Sequence, residues 1–158
     1  MRVSRSLENG FTLIEILISV VVLAVGLLGL AALQINVIRY NHSAQLRSVA
    51  VSQLNTMVDR MRANYAGVKA GSYSNVTGIP GLPTCTNCTS SESATRDANK
   101  WNTSNAALLP SGRGTVVGSN GIYTITVRWD NDRAGVTGTG CSGNVKVDLT
   151  CLIMEVRL

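Results

Sequence analysis

The chain has 158 residues, 45% of them hydrophobic, with a formal net charge of +5 and a mean hydropathy of +0.18. Only one stretch is apolar and long enough to span a bilayer, which excludes a polytopic membrane protein. Low net charge and plentiful β-branched residues exclude a disordered chain, and basic residues scattered from Arg2 to Arg157 without a like-charge run do not indicate specific nucleic-acid binding.

The chain opens on a short polar segment, residues 1–10, with Arg2, Arg5 and Glu8. Phe11–Leu33 follows, and 18 of its 23 residues are hydrophobic. Within it Ile16–Leu33 has Ser19 as its only polar side chain. As a helix that run reaches roughly 27 Å, close to the thickness of a hydrocarbon core. A cleaved secretory signal has an apolar region of about 7–15 residues and a small-residue cleavage site after it. This run is longer, and Ala31-Ala32-Leu33-Gln34 offers no such site. An uncleaved signal anchor fits the hydrophobicity but leaves Glu15 unexplained. A carboxylate at the centre of a spanning helix costs roughly 2.5–3.5 kcal/mol, so it demands a partner.

The residues around that acid, Gly10-Phe11-Thr12-Leu13-Ile14-Glu15, resemble the processing site of type IV prepilins. The resemblance implies a leader of residues 1–10, cleaved between Gly10 and Phe11 by a prepilin peptidase that also N-methylates Phe11. It further implies that Glu15 neutralises the amino terminus of a neighbouring subunit during assembly. An ion pair in an apolar bundle suits a register device, because an off-register subunit leaves a charge unpaired. Arg2 and Arg5 before the span are balanced by Arg39 and Arg47 after it, so charge alone does not orient it. Four cysteines, all C-terminal to the span, fit an oxidising compartment. The family resemblance implies the same topology: a single pass through the bacterial inner membrane with a periplasmic head, then incorporation into a pilus.

Helical periodicity continues past the span. Leu46, Ala50, Leu54, Met57 and Met61 recur at steps of three and four, one stripe of an amphipathic helix. One helix from about Thr12 to Ala63 is expected, its stripe packed on a sheet. Gly71–Asn105 is rich in Gly, Ser, Thr and Asn and contains Pro80 and Pro83, the composition of a long surface loop. A short helix within Ala94–Asn105 is expected there, started by Ser91 or Ser93. Strands are expected at Arg113–Val117 and Gly121–Trp129 around a tight turn at Gly118-Ser119-Asn120-Gly121. In the second, Tyr123, Ile125, Val127 and Trp129 alternate with polar residues. A last strand is expected from Val145, with a bulge near Leu152 where the apolar phase switches.

The expected fold is therefore α+β, type IV pilin-like: a long N-terminal helix (11–63, transmembrane over 11–33) on a head (64–158). The head comprises an αβ loop (64–112) and an antiparallel sheet (113–158). Met57-Val58-Asp59-Arg60-Met61-Arg62-Ala63-Asn64, Leu108-Leu109-Pro110-Ser111-Gly112-Arg113-Gly114 and Tyr123–Asp130 look like the PilV-type minor pilins. That resemblance implies a minor subunit supporting pilus assembly, and hence twitching motility or adhesion. Its implied partners are the prepilin peptidase and N-methyltransferase, other major and minor pilins through the N-terminal helix, the inner-membrane assembly machinery and the lipid bilayer.

Four cysteines allow three pairings. Cys141–Cys151 would tie the loop before the last strand back onto it, and such a bridge also fits the family; Cys85–Cys88 would then be a local clip. Cys85-Thr86-Asn87-Cys88 has redox spacing, but it sits in a polar loop without the strand-to-helix context that lowers a thiol pKa. A zinc site lacks ligands, because His42 lies on the long helix. Asp130-Asn131-Asp132-Arg133-Ala134-Gly135 lacks the oxygen ligands of a calcium loop and reads as a turn. No metal, cofactor or catalytic residue is expected, and the chain reads as a substrate of enzymes rather than an enzyme. The competing readings are a minor pseudopilin of a type II secretion system, a DNA- or surface-binding receptor displayed by the Gly71–Asn105 loop, and a membrane-anchored oxidoreductase.

Overall fold

A computed structural model describes residues 11–158 and divides them into two units, one running through His42 and the other Ser43–Leu158. Gly10 and the expected leader lie outside the described residues. The first helix, α1 (Leu13–Ala63), begins in the first unit and ends in the second. At its start Thr12 accepts the Glu15 amide on its carbonyl (3.1 Å) and its hydroxyl (3.4 Å), which satisfies a donor that the first turn leaves without a partner. The expectation for this helix, Thr12 to Ala63, differs by one residue.

In the second unit α1 is followed by α2 (Tyr65–Lys69), β1 (Asn75–Thr77), α3 (Ser90–Leu108), β2 (Arg113–Ser119), β3 (Ile122–Trp129) and β4 (Thr150–Arg157). The strands form one antiparallel sheet in the order β1-β2-β3-β4. Leu46, Ala50, Leu54, Met57 and Met61 are all buried, so the helical stripe is the face that α1 lays on the sheet. The sheet answers with Val76, Val116, Tyr123, Ile125, Val127 and Trp129, and α3 adds Ala94, Ala98 and Trp101. Each large apolar side chain taken fully from water contributes about 1.5–3 kcal/mol before entropy is counted. This is a pilin-like α+β fold.

Three expectations change. Gly71–Asn105 is not simply a loop: β1 joins the sheet there, and α3 runs 19 residues. Its cap is Thr89, ahead of both expected serines, because Glu92 closes a capping box in which its carboxylate takes the Thr89 amide at 2.8 Å. The β2–β3 turn is tighter than expected, narrowing to Asn120 and Gly121, whose φ values of +52° and +80° suit a primed two-residue hairpin turn. Last, β4 starts at Thr150 rather than Val145 and has no bulge, since its register with β3 is continuous from Trp129↔Thr150 to Ile122↔Arg157. Leu152, Met154 and Val156 pack on the core, whereas Val145 and Val147 are exposed. The change of apolar phase marks the passage from a turn into a regular strand.

Candidate functional site

The residues singled out at the N-terminus share one helix face. Phe11 stands immediately before α1, Glu15 lies in its first turn, and Ser19 follows one turn later and donates to the Glu15 carbonyl at 2.7 Å. Phe11, Glu15 and Ser19 border one shallow groove together with Ile16, Val20 and Leu23. Spacing by four residues places the Phe11 end of the chain one turn from the carboxylate. Every large apolar side chain from Phe11 to Leu33 is more than half exposed, with Phe11 at 80%. A soluble domain does not display a patch of this extent without covering it. This segment belongs to a helix long and apolar enough to cross a membrane.

The second unit holds the cysteines. Cys85 is bonded to Cys88 and Cys141 to Cys151, with Cα separations of 5.1 and 5.8 Å. The first pair lies just before the Thr89 cap of α3, where the Arg96 guanidinium reaches Cys88 Sγ at 2.8 Å. The second ties the turn before β4 to that strand. Asp148 organises this turn: its carboxylate accepts the Gly140 and Ser142 amides at 3.0 and 3.1 Å. Hydrogen bonds from Ser142 and Gly140 hold its carboxyl below the usual range. Asp130 works similarly, taking the Ala134 and Gly135 amides at 3.1 and 2.7 Å, so its carboxylate is committed to a turn. His42 is exposed on α1. Among the described residues no three metal-ligating side chains converge.

The sequence reading missed a polar hub joining α1, α3 and the segment after α2. Arg60 donates to Asp97 at 3.0 Å, Tyr73 donates to the other Asp97 oxygen at 2.6 Å, and Asn64 donates to the Tyr73 hydroxyl and to the Ser90 carbonyl. No spacing could reveal it, since Arg60 and Asp97 are 37 positions apart. A second missed pair is Trp101, whose indole N–H donates to the Gln53 carbonyl at 2.8 Å, fixing α3 against α1.

The described residues define a class: an α+β unit of pilin-like fold and an exposed apolar helical segment long enough to cross a membrane. Residues 5–31 match the prokaryotic N-terminal methylation motif. The chain thus carries the N-terminal methylation motif of the type IV pilin and pseudopilin family, which implies processing by a prepilin peptidase. Among curated proteins and solved structures, nothing matches.

Proposed function

We propose that the chain is a minor subunit of a type IV pilus, of the PilV type. Prepilin peptidase removes residues 1–10 by cutting between Gly10 and Phe11, and Phe11 is N-methylated. Residues 11–33 hold the subunit in the inner membrane with its head in the periplasm until it joins the filament. There Glu15 pairs with the methylated terminus of a neighbour and sets the register. The observation that carries this reading is the coincidence of the methylation motif with the uncovered start of α1. Phe11 and Glu15 border one groove there, so cleavage creates a cation one turn from a carboxylate on a surface that has no covering within its own unit.

Mass spectrometry of the N-terminus of membrane-derived protein tests the processing: the mature chain starts at Phe11 and carries one added methyl group. Any other start refutes it. Glu15→Ala is cleaved normally but enters filaments poorly, and normal assembly of that variant refutes the register role. Deletion that abolishes pili and leaves secretion intact supports the pilus assignment. The converse result assigns the chain to a type II secretion pseudopilus.

A further inference from the structure

Strand alternation gives the sheet a second face, turned away from the core. It carries Arg113 and Thr115 on β2 and Thr124 and Arg128 on β3, between the buried Gly114, Val116, Val127 and Trp129. The register sets Arg113 directly opposite Arg128, a position where like charges repel. Arg113 is exposed and Arg128 half-buried. Arg128 donates through Nε to the Thr139 carbonyl at 3.2 Å and through Nη1 to the Thr115 hydroxyl at 2.9 Å. These neutral acceptors fix the guanidinium in place and leave its charge uncompensated. Burial accordingly lowers the Arg128 pKa below its ordinary value. The ion pairs among the described residues are Arg60–Asp97 and Arg62–Asp59, so neither arginine has a carboxylate partner there. Asp130 and Asp148, in the turns between β3 and β4, are committed to the amides of those turns. Glu155 lies opposite Thr124, four residues along β3 from Arg128.

Both arginines line one cavity of about 150 Å³, together with Thr115 and Thr139. Gly78, Ile79, Gly112 and Gly114 supply bare wall. Asn102 completes it, its carboxamide already spent on the Gly114 amide and the Gly78 carbonyl, both at 2.6 Å. A lining with two cations and no acid concentrates a positive field on the space between them. We propose that the Arg113–Arg128 pair binds a tetrahedral oxyanion of the phosphate class in this cavity. The volume falls below the roughly 300–1,000 Å³ of sites for drug-sized ligands, so it suits a small ion or the phosphate end of an ester. A planar carboxylate satisfies one guanidinium fork. A tetrahedral ion of up to two charges presents oxygens to two forks at once and offsets both cations. An apolar ligand leaves the cross-strand repulsion as it was.

The test uses the full chain with both disulfides intact, in detergent and in a chloride buffer without phosphate. Arg113→Gln removes one of two like charges, so in that buffer it melts at or above the parent. Inorganic phosphate then raises the melting temperature of the parent more than that of the variant and reverses their order. Phosphate also stabilises proteins by exclusion from their surfaces, but equally in both, so the difference is the readout. By calorimetry, phosphate affinity falls about tenfold in Arg113→Gln and in Arg128→Gln, the worth of one charge-assisted hydrogen bond. Acetate binds the parent more weakly than phosphate does. Glycerol phosphate separates the sources: equal affinity assigns the site to a phosphate ester and weaker affinity to the free ion, and either carries the proposal. Near-UV circular dichroism checks that each variant is folded. No reversal of the melting order, equal binding of acetate and phosphate, or phosphate binding undiminished in both variants overturns it. None of these readouts depends on N-terminal processing, so the site and the pilin reading stand or fall separately.

Discussion

Asp97→Asn removes the charge from the centre of the hub that joins α1, α3 and the segment after α2. The carboxylate accepts from Arg60 at 3.0 Å and from Tyr73 at 2.6 Å, and the Arg60 and Asp97 side chains are 31% and 19% exposed. Breaking a fully buried pair costs about 3–5 kcal/mol, because one charge is left uncompensated. An exposed pair is worth less than about 1 kcal/mol. This pair lies between those limits, and the amide oxygen of asparagine still accepts one bond, so the expected loss is about 2 kcal/mol. For a head of this size that lowers the melting temperature by roughly 6–10 °C. The assay is thermal unfolding followed by the near-UV signal of Trp101 and Trp129, both fully buried. Tyr73→Phe alone costs about 1 kcal/mol, and the double variant loses less than the sum, since both changes remove the same bond. An Asp97→Asn protein within about 0.5 kcal/mol of the parent refutes the reasoning.

Burial and the hydrogen bond to Asp97 push the Tyr73 phenol far above its ordinary 10.0. The unfolded chain ionises near 10 while the folded one resists, so its contribution is complete below that pH and is lost as the pH rises above it. Alkaline melts of the parent therefore fall faster above pH 10 than those of Tyr73→Phe; parallel curves contradict this. At Gly114 an added Cβ would collide with the Trp101 ring and lie 2.6 Å from Asn105 Nδ2. Gly114→Ala destabilises by about 1–3 kcal/mol in urea titration, and a neutral result means that the α3–β2 contact yields more than its packing suggests. Asp148 is lowered by its bonds, so it supports the fold above the ordinary carboxylate range and ceases to do so as pH falls through its folded value. Asp148→Asn accelerates hydrogen exchange at the Gly140 and Ser142 amides at neutral pH, and unchanged protection there refutes the turn-organising role.

Periodicity made the helical stripe legible: steps of three and four in Leu46–Met61 have one physical cause, a single buried face. Alternation in Tyr123–Trp129 did the same for β3. Local composition failed where tertiary contacts overruled it. β1 is three residues long, too short for a pattern, and exists because Val76 reaches the core opposite Val116. The polar stretch before α3 concealed a capping box, because Thr89 and Glu92 fall in a run of similar residues where serines competed for the cap. Val145 and Val147 alternated as a strand does, yet Asp148 claims the Gly140 and Ser142 amides and folds that segment into a turn. The N-terminal site was legible because its motif is contiguous. The hub was not, since it is assembled from residues tens of positions apart.

The composition boundary and the packing boundary of α1 fall at different places, and the difference bears on what the helix is for. Apolar composition ends near Leu33, whereas burial begins only at Leu46. The intervening Gln34, Asn36, Arg39, Asn41 and His42 are exposed and polar. A helix of about a dozen residues with no packed face is marginal by itself. Its persistence requires ordered helix on both sides, supplied by the head after Leu46 and by an apolar surrounding before Leu33. Water cannot be that surrounding, because Leu17, Leu23 and Leu28 are each more than half exposed and gain nothing within their own unit. The hydrocarbon core of a bilayer is a surrounding that suits these residues. Under the proposed pilus assignment the same uncovered surface serves lipid and neighbouring subunits in turn, with Glu15 a cost in the first and an ion-pair partner in the second.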